Sequence, residues 1–181
     1  PTRSNPSMGL AAADLMRRVN ARVPDLHPVA YRATVRSALG HHLAEGYRSE
    51  RPPPLTPELA RFAAGWNRRI RRAVRAHGAR VTGDLDDLPV RPPGPPGGGT
   101  PAVDPPAEQT VEVATYAVRG MHDVVAARRR VLREHGLTPP GPAPATPDRL
   151  PRWAPDEAGV EAALDHLVQV VRTAVDLQEQ I

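Results

Sequence analysis

The chain has 181 residues, with 24 Arg and no Lys, 20 acidic residues, 23 Pro, 14 Gly, no Cys and a formal net charge of +4. The missing cysteines exclude a disulfide scaffold, a thiolate metal site and a Cys nucleophile. No run reaches the ~18 uninterrupted apolar residues of a membrane span, and no signal-peptide core follows the first residues, so the expectation is a soluble, cytoplasmic protein of one domain or one domain with an appendage.

Charge is uneven. Residues 1–91 hold 16 Arg against 8 acids, a net of +8, and residues 92–181 hold 8 Arg against 12 acids, a net of −4. The basic half can meet an external anion or the acidic half of its own chain.

Ser7 precedes an apolar-periodic run from Met8 to Val23 and is placed to cap a first helix. Met8, Ala11, Leu15, Val19 and Val23 share one face of it, with Arg17, Arg18 and Arg22 turned away. Pro24 stops this helix. Pro28 opens a second one, running to about Gly46 with Tyr31, Val35, Leu39 and Leu43 as its stripe. After the stiff segment Arg51–Leu55, Thr56-Pro57-Glu58 supplies cap, first-turn proline and first-turn acid for a third helix. There Leu59, Phe62, Trp66, Ile70, Ala73 and His77 recur at spacings of three and four and are expected to face the core, and Gly78 ends the run. Residues 79–82 read as a short strand, and Gly83–Pro89 as an acidic turn that closes a first segment, 1–90. Residues 91–107 form a Pro/Gly linker. The segment 108–136 is a fourth helix with Ala114, Val118, Met121, Val125 and Leu132 on one face. Residues 137–155 are a Pro-rich linker. The segment 156–181 is a last helix with Val160, Leu164, Leu167, Val171 and Ala174 inward, and the last two helices read as a packed pair. The predicted fold is therefore mainly α, with about five amphipathic helices, one short strand and two linkers. Few aromatics and two linkers predict a meagre core for this length.

Arg61, Arg68, Arg72 and Arg75 line one side of the third helix. Guanidinium groups so placed suit phosphate, with Arg68, Arg72 and Arg75 as the anion-binding candidates; the same stripe also suits the solvated face of an amphipathic helix. Nucleic acid is not expected, because Trp66 and Phe62 are assigned to the opposite, core-facing side, away from the Arg residues. Asp84, Asp86 and Asp87 either hold a Mg²⁺ ion at a strand end or cap amides and pair with neighbouring Arg; the EF-hand spacing is absent. His41 and His42 diverge on their helix, and the His-pair motif of zinc enzymes is missing. Catalytic and metal-binding residues are expected to be none. No G-x-S-x-G, P-loop or dinucleotide glycine pattern occurs.

Three stretches in order carry a resemblance: Ser4-Asn5-Pro6-Ser7-Met8-Gly9 leading into Leu15-Met16-Arg17-Arg18-Val19-Asn20; Trp66 through Gly83-Asp84-Leu85-Asp86-Asp87-Leu88; and the closing Ala/Val/Leu helix. Together they resemble the C-terminal portion of the actinobacterial P-loop sulfotransferase-like proteins. The resemblance implies the late helices of an α/β P-loop-type fold and sulfuryl transfer from 3′-phosphoadenylyl sulfate to a hydroxyl or amine acceptor. The family's donor-binding loop and catalytic base have no counterpart in these residues and are expected upstream of Pro1, making the missing N-terminal part of the same protein the first partner and a small molecule or glycan the acceptor. No membrane partner is expected. Asn5, Ser7 and Gly9, ahead of the first helix, are the candidate donor-contacting residues, since free amides and the helix dipole favour an anion there. The alternative is a stand-alone Arg-rich helical module that binds an acidic protein or nucleic acid.

Overall fold

A computed structural model of the protein describes residues 8–47, 57–78, 80–88, 104–141 and 150–181. The described residues are mainly helical, and no strand occurs among them. Helix α1 spans Leu10–Arg22. Helix α2 opens as α-helix over Pro28–Ala30, winds as π-helix over Tyr31–Leu39 and returns to α-helix over Gly40–Gly46. Helix α3 spans Pro57–Ala76, α4 Ala107–Glu134 and α5 Glu157–Gln178. The chain divides into two compact units, residues 1–52 with 104–181, and residues 53–103. The expected first segment, 1–90, is thus split: α1 and α2 join α4 and α5, and α3 belongs to the second unit.

The first unit is a bundle of four helices with one aliphatic core. Leu15 and Val19 of α1, Val35, Leu39 and Leu43 of α2, Val113, Val118, Met121 and Leu132 of α4, and Leu164, Leu167, Val171 and Leu177 of α5 meet in it. Helices α4 and α5 share the most extensive pairing, and Ala114, Ala117, Ala163 and Ala174 in that core keep bulk low between backbones. The inward faces read from periodicity for α1, α2, α4 and α5 are the buried ones. The core is built from Leu, Val, Ala and Met, with Tyr31, Tyr47, Tyr116 and Trp153 packed at its edge.

In the π-wound stretch hydrogen bonds reach the fifth residue back, as from Gly40 N–H to the Val35 carbonyl. Val35, Leu39 and Leu43 are fully buried, with Tyr31 packed against the core beside them.

Helix ends follow local chemistry. Pro28 stands at the first position of α2, where its missing N–H costs nothing, and the His27 ring accepts from Val29 N–H. Helix α4 ends in a Schellman motif: Gly136 takes φ +75°, and Leu137 N–H donates to the Leu132 carbonyl at 2.9 Å. Gly78, at φ +60°, ends α3 in the same left-handed region. Helix α1 differs from expectation: its N-cap is Gly9, with no side-chain cap. Ser7, expected in that role, lies outside the described residues, as does Thr56. The Asp156 carboxylate caps α5 by accepting from Gly159 N–H at 2.8 Å. A β-carbon at Gly159 would run into the Ala154 backbone, which a side-chain rotation cannot relieve. Gly159→Ala is therefore expected to cost about 1–3 kcal/mol; urea unfolding checks this, and an unchanged midpoint contradicts it.

Two expectations are corrected outside the helices. Arg80, Val81 and Thr82 do not form a strand but run irregularly, since a segment this short needs a sheet edge; Ala79 lies outside the described residues. The 137–155 segment is not only a tether, because Leu150 and Trp153 pack against the core of the bundle. Residues 91–103 and 142–149 of the two linkers lie outside the described residues.

Candidate functional site

The second unit carries the most unusual surface. Over its 20 residues α3 holds six Arg against one acid, Glu58. At 100° per residue, Arg61, Arg68, Arg72 and Arg75 fall within about 60° of arc, and Phe62, Trp66, Ile70 and Ala73 within about 80° on another side. The covered side is neither of these. Ala60 and Ala64 are the buried residues, at 5% and 3% exposure, while Phe62 is 62% and Trp66 52% exposed. The apolar stripe expected to face the core is turned outward, and the covered side is the one that carries the small side chains of Ala60 and Ala64. Periodicity identifies the helix correctly but does not say which face is covered.

The exposed rings are organised. Phe62 and Trp66 lie nearly parallel, with centroids 6.3 Å apart, and the Arg69 guanidinium sits 5.1 Å from the Trp66 ring centre. The aromatic side is therefore edged by a cation, which removes the ground on which nucleic acid was set aside. Of the three anion-binding candidates, Arg72 is exposed, Arg75 lies 3.5 Å from Asp86, and Arg68 is exposed on the same side but engaged by a neighbouring group.

The acidic turn after α3 is structural. Gly83 takes φ +103° and turns the chain into the 3₁₀ turn Leu85–Asp87. Asp84 accepts from Asp86 N–H at 2.8 Å, and Asp86 pairs with Arg71 and Arg75. Among the described residues no three His, Asp or Glu side chains converge to hold a metal ion.

Within the bundle, polar groups are brought together that sequence spacing does not reveal. Asp14, 9% exposed, accepts from Arg17 at 3.0 and 2.6 Å and from Arg18 at 2.8 Å. Burial alone would raise its pKa, but the two guanidinium groups outweigh this and hold the carboxyl below its ordinary range. Arg18 reaches on to Glu157 at 2.5 Å and Glu161 at 3.4 Å, and Arg22 pairs with Glu161 and, at 3.8 Å, Asp165. The basic face of α1 thus meets the acidic ridge of α5, so part of the charge asymmetry is answered inside the chain. His42 stacks on Tyr116 at 4.3 Å, while His41 is exposed. His122 of α4 and His166 of α5 face each other with their Nε2 atoms 3.3 Å apart, and Trp153 packs edge-on against His166. The histidines had read as scattered; these two lie 44 positions apart, and only the α4–α5 pairing joins them. Arg128 of α4 enters the bundle and donates to Thr34 Oγ1 at 2.9 Å and to the Ala174 carbonyl at 2.5 Å.

Asn5 and Ser7 lie outside the described residues, and Gly9 stands at the mouth of α1. No protein-family model, no curated protein and no solved structure matches this chain.

Proposed function

We propose that this chain is the helical portion of a P-loop-type, sulfotransferase-like enzyme that passes a sulfuryl group from 3′-phosphoadenylyl sulfate to a hydroxyl or amine acceptor. The observation that carries the reading is the order of the three sequence stretches that resemble that family. Two features of the fold support it. The first and third stretches pack in one bundle, joined by the ion pairs of Arg18 with Glu157 and Glu161, and the Gly83–Asp87 part of the middle stretch is a built turn tied back to α3 by Asp86. On this reading the bundle is scaffold. The donor phosphates are held by backbone amides and basic groups of a glycine-rich loop that is not among these 181 residues, with Asn5, Ser7 and Gly9 as further donor contacts.

The test compares the chain alone with the same chain carried on its native upstream sequence. Calorimetry with adenosine 3′,5′-bisphosphate and transfer of labelled sulfuryl groups should both be negative for the chain alone and positive for the extended protein. An extended protein that neither binds the bisphosphate nor transfers the group sinks the reading, as does turnover by the chain alone. In the extended protein, Asn5→Ala with Ser7→Ala is expected to weaken bisphosphate binding about tenfold, the scale of one hydrogen bond to a charged group; unchanged affinity would leave these residues only shaping the helix entry.

A second reading is favoured by the six Arg of α3 against a single acid: an interaction module whose Arg-rich helix binds an acidic protein or nucleic acid. Binding to duplex DNA with a salt slope of about −0.9 per neutralised phosphate would support it.

A further inference from the structure

We propose that α3 docks on an anionic lipid bilayer, lying in the plane of the interface with Phe62, Trp66 and Ile70 entering the acyl boundary and Arg61, Arg69 and Arg72 meeting lipid phosphates. The inference does not depend on the sulfuryl-transfer reading.

Exposed apolar side chains occurring singly need no explanation, but here two aromatic rings stand on one side of a single helix, each more than half exposed. The same helix carries six Arg against Glu58 alone. A helix with Trp and Phe on one side and Arg on the other is suited to an interface that is apolar below and anionic above. The individual cations fit that geometry. Arg69 lies at the margin of the apolar side, where its guanidinium already rests over the Trp66 ring, so its stem can lie along the stripe while its head reaches the phosphate level. Arg61 and Arg72 make no ion pair with any described residue and are exposed; their charge is available to an outside anion. Arg71 and Arg75, by contrast, are occupied by Asp86.

Lipid fits better than a nucleic acid strand. Bases stack on open aromatic faces, whereas the Trp66 indole already holds Phe62 alongside and Arg69 over it. What the pair offers outward is exposed apolar ring surface, which can enter a fluid interface without a preformed groove. No helix among the described residues is long and apolar enough to cross a membrane, a property that does not bear on a helix lying flat at the surface. The expectation of no membrane partner rested on that missing span, a ground that a helix lying along the surface does not touch.

The test is co-sedimentation of the whole chain with vesicles of phosphatidylcholine alone or with roughly one third phosphatidylglycerol. Binding to the anionic vesicles should be at least tenfold stronger, since each Arg near such a surface contributes about fivefold, and should weaken near 1 M salt, where the screening length falls to about 3 Å. Trp emission should shift to the blue in the wild type and not in Trp66→Phe, which separates Trp66 from Trp153. Phe62→Ser with Trp66→Ser should lower partitioning at least about tenfold, from lost apolar burial, with the urea midpoint unchanged because both rings are exposed. Equal binding to the two vesicle types overturns the proposal, as does partitioning that survives the double substitution. Quenching of Trp66 by single-stranded DNA without vesicle binding also overturns it and moves the surface to nucleic acid.

Discussion

Replacing Arg128 with alanine should destabilise the bundle by about 2–4 kcal/mol, read as a lower urea midpoint at neutral pH. This guanidinium is drawn in among α2, α4 and α5, where burial holds its pKa below the ordinary arginine range, and its described bonds go to a hydroxyl and a carbonyl rather than to a carboxylate. Truncation leaves the Thr34 hydroxyl, on a fully buried residue, without this donor and opens a void where the stem lay. Arg128→Met keeps the stem and removes the charge that burial disfavours, so its loss should be clearly smaller. An alanine variant within about 0.5 kcal/mol of wild type, the ordinary range for surface changes, would contradict the assignment.

The second large effect is with pH. Burial, and then the charge of His166, press the pKa of His122 below its ordinary 6.5, while Asp123 pulls weakly upward; burial lowers His166 in the same direction. In the unfolded chain both imidazoles regain the ordinary value. Well above pH 6.5, from about a unit higher, neither state takes up protons at these rings, and stability is flat on their account. As pH falls below 6.5 the unfolded chain binds protons first and folding weakens, until the lowered native values are passed. A second cation 3.3 Å from the first makes the doubly protonated pair the least tolerated state. Wild-type protein should therefore lose urea midpoint between neutral and mildly acid pH, and His122→Leu should flatten that slope. Asp14 acts in a separate window: its native pKa is lowered, so its contribution is present above its ordinary 3.8 and is lost only at lower pH. A wild-type midpoint unchanged down to pH 5 would contradict the histidine assignment.

The sequence was informative where periodicity and burial coincide. Leu15 and Val19, Val35 and Leu39, Val118 and Met121, and Leu164 and Leu167 recur at helical spacing because one side of each helix is covered by the other three, and Gly78 marks the end of α3 by the same kind of local code. On α3 the same periodicity is present but the covered side is Ala60 and Ala64, since amphipathicity records only that two environments exist and not that the drier one is protein. The expected strand at Arg80–Thr82 failed because β structure depends on a partner, which a local reading cannot supply. Of the candidate site residues, the Arg stripe was legible because four guanidinium groups share one arc. The His122–His166 contact and the Arg128–Thr34 bond were not, because they depend on how helices distant in sequence pair.

The division of the bundle between the two ends of the chain bears on how the protein emerges from the ribosome. Arg18 and Glu157 are 139 positions apart, and at about 5–20 residues per second roughly 7–28 s pass between their synthesis. The leucines and valines of α1 and α2 wait first for α4 and then for α5 to cover them, and all of α3 is made before either. Newly made chains of this protein would thus offer chaperones a long opening, which closes only once the last helix has been released.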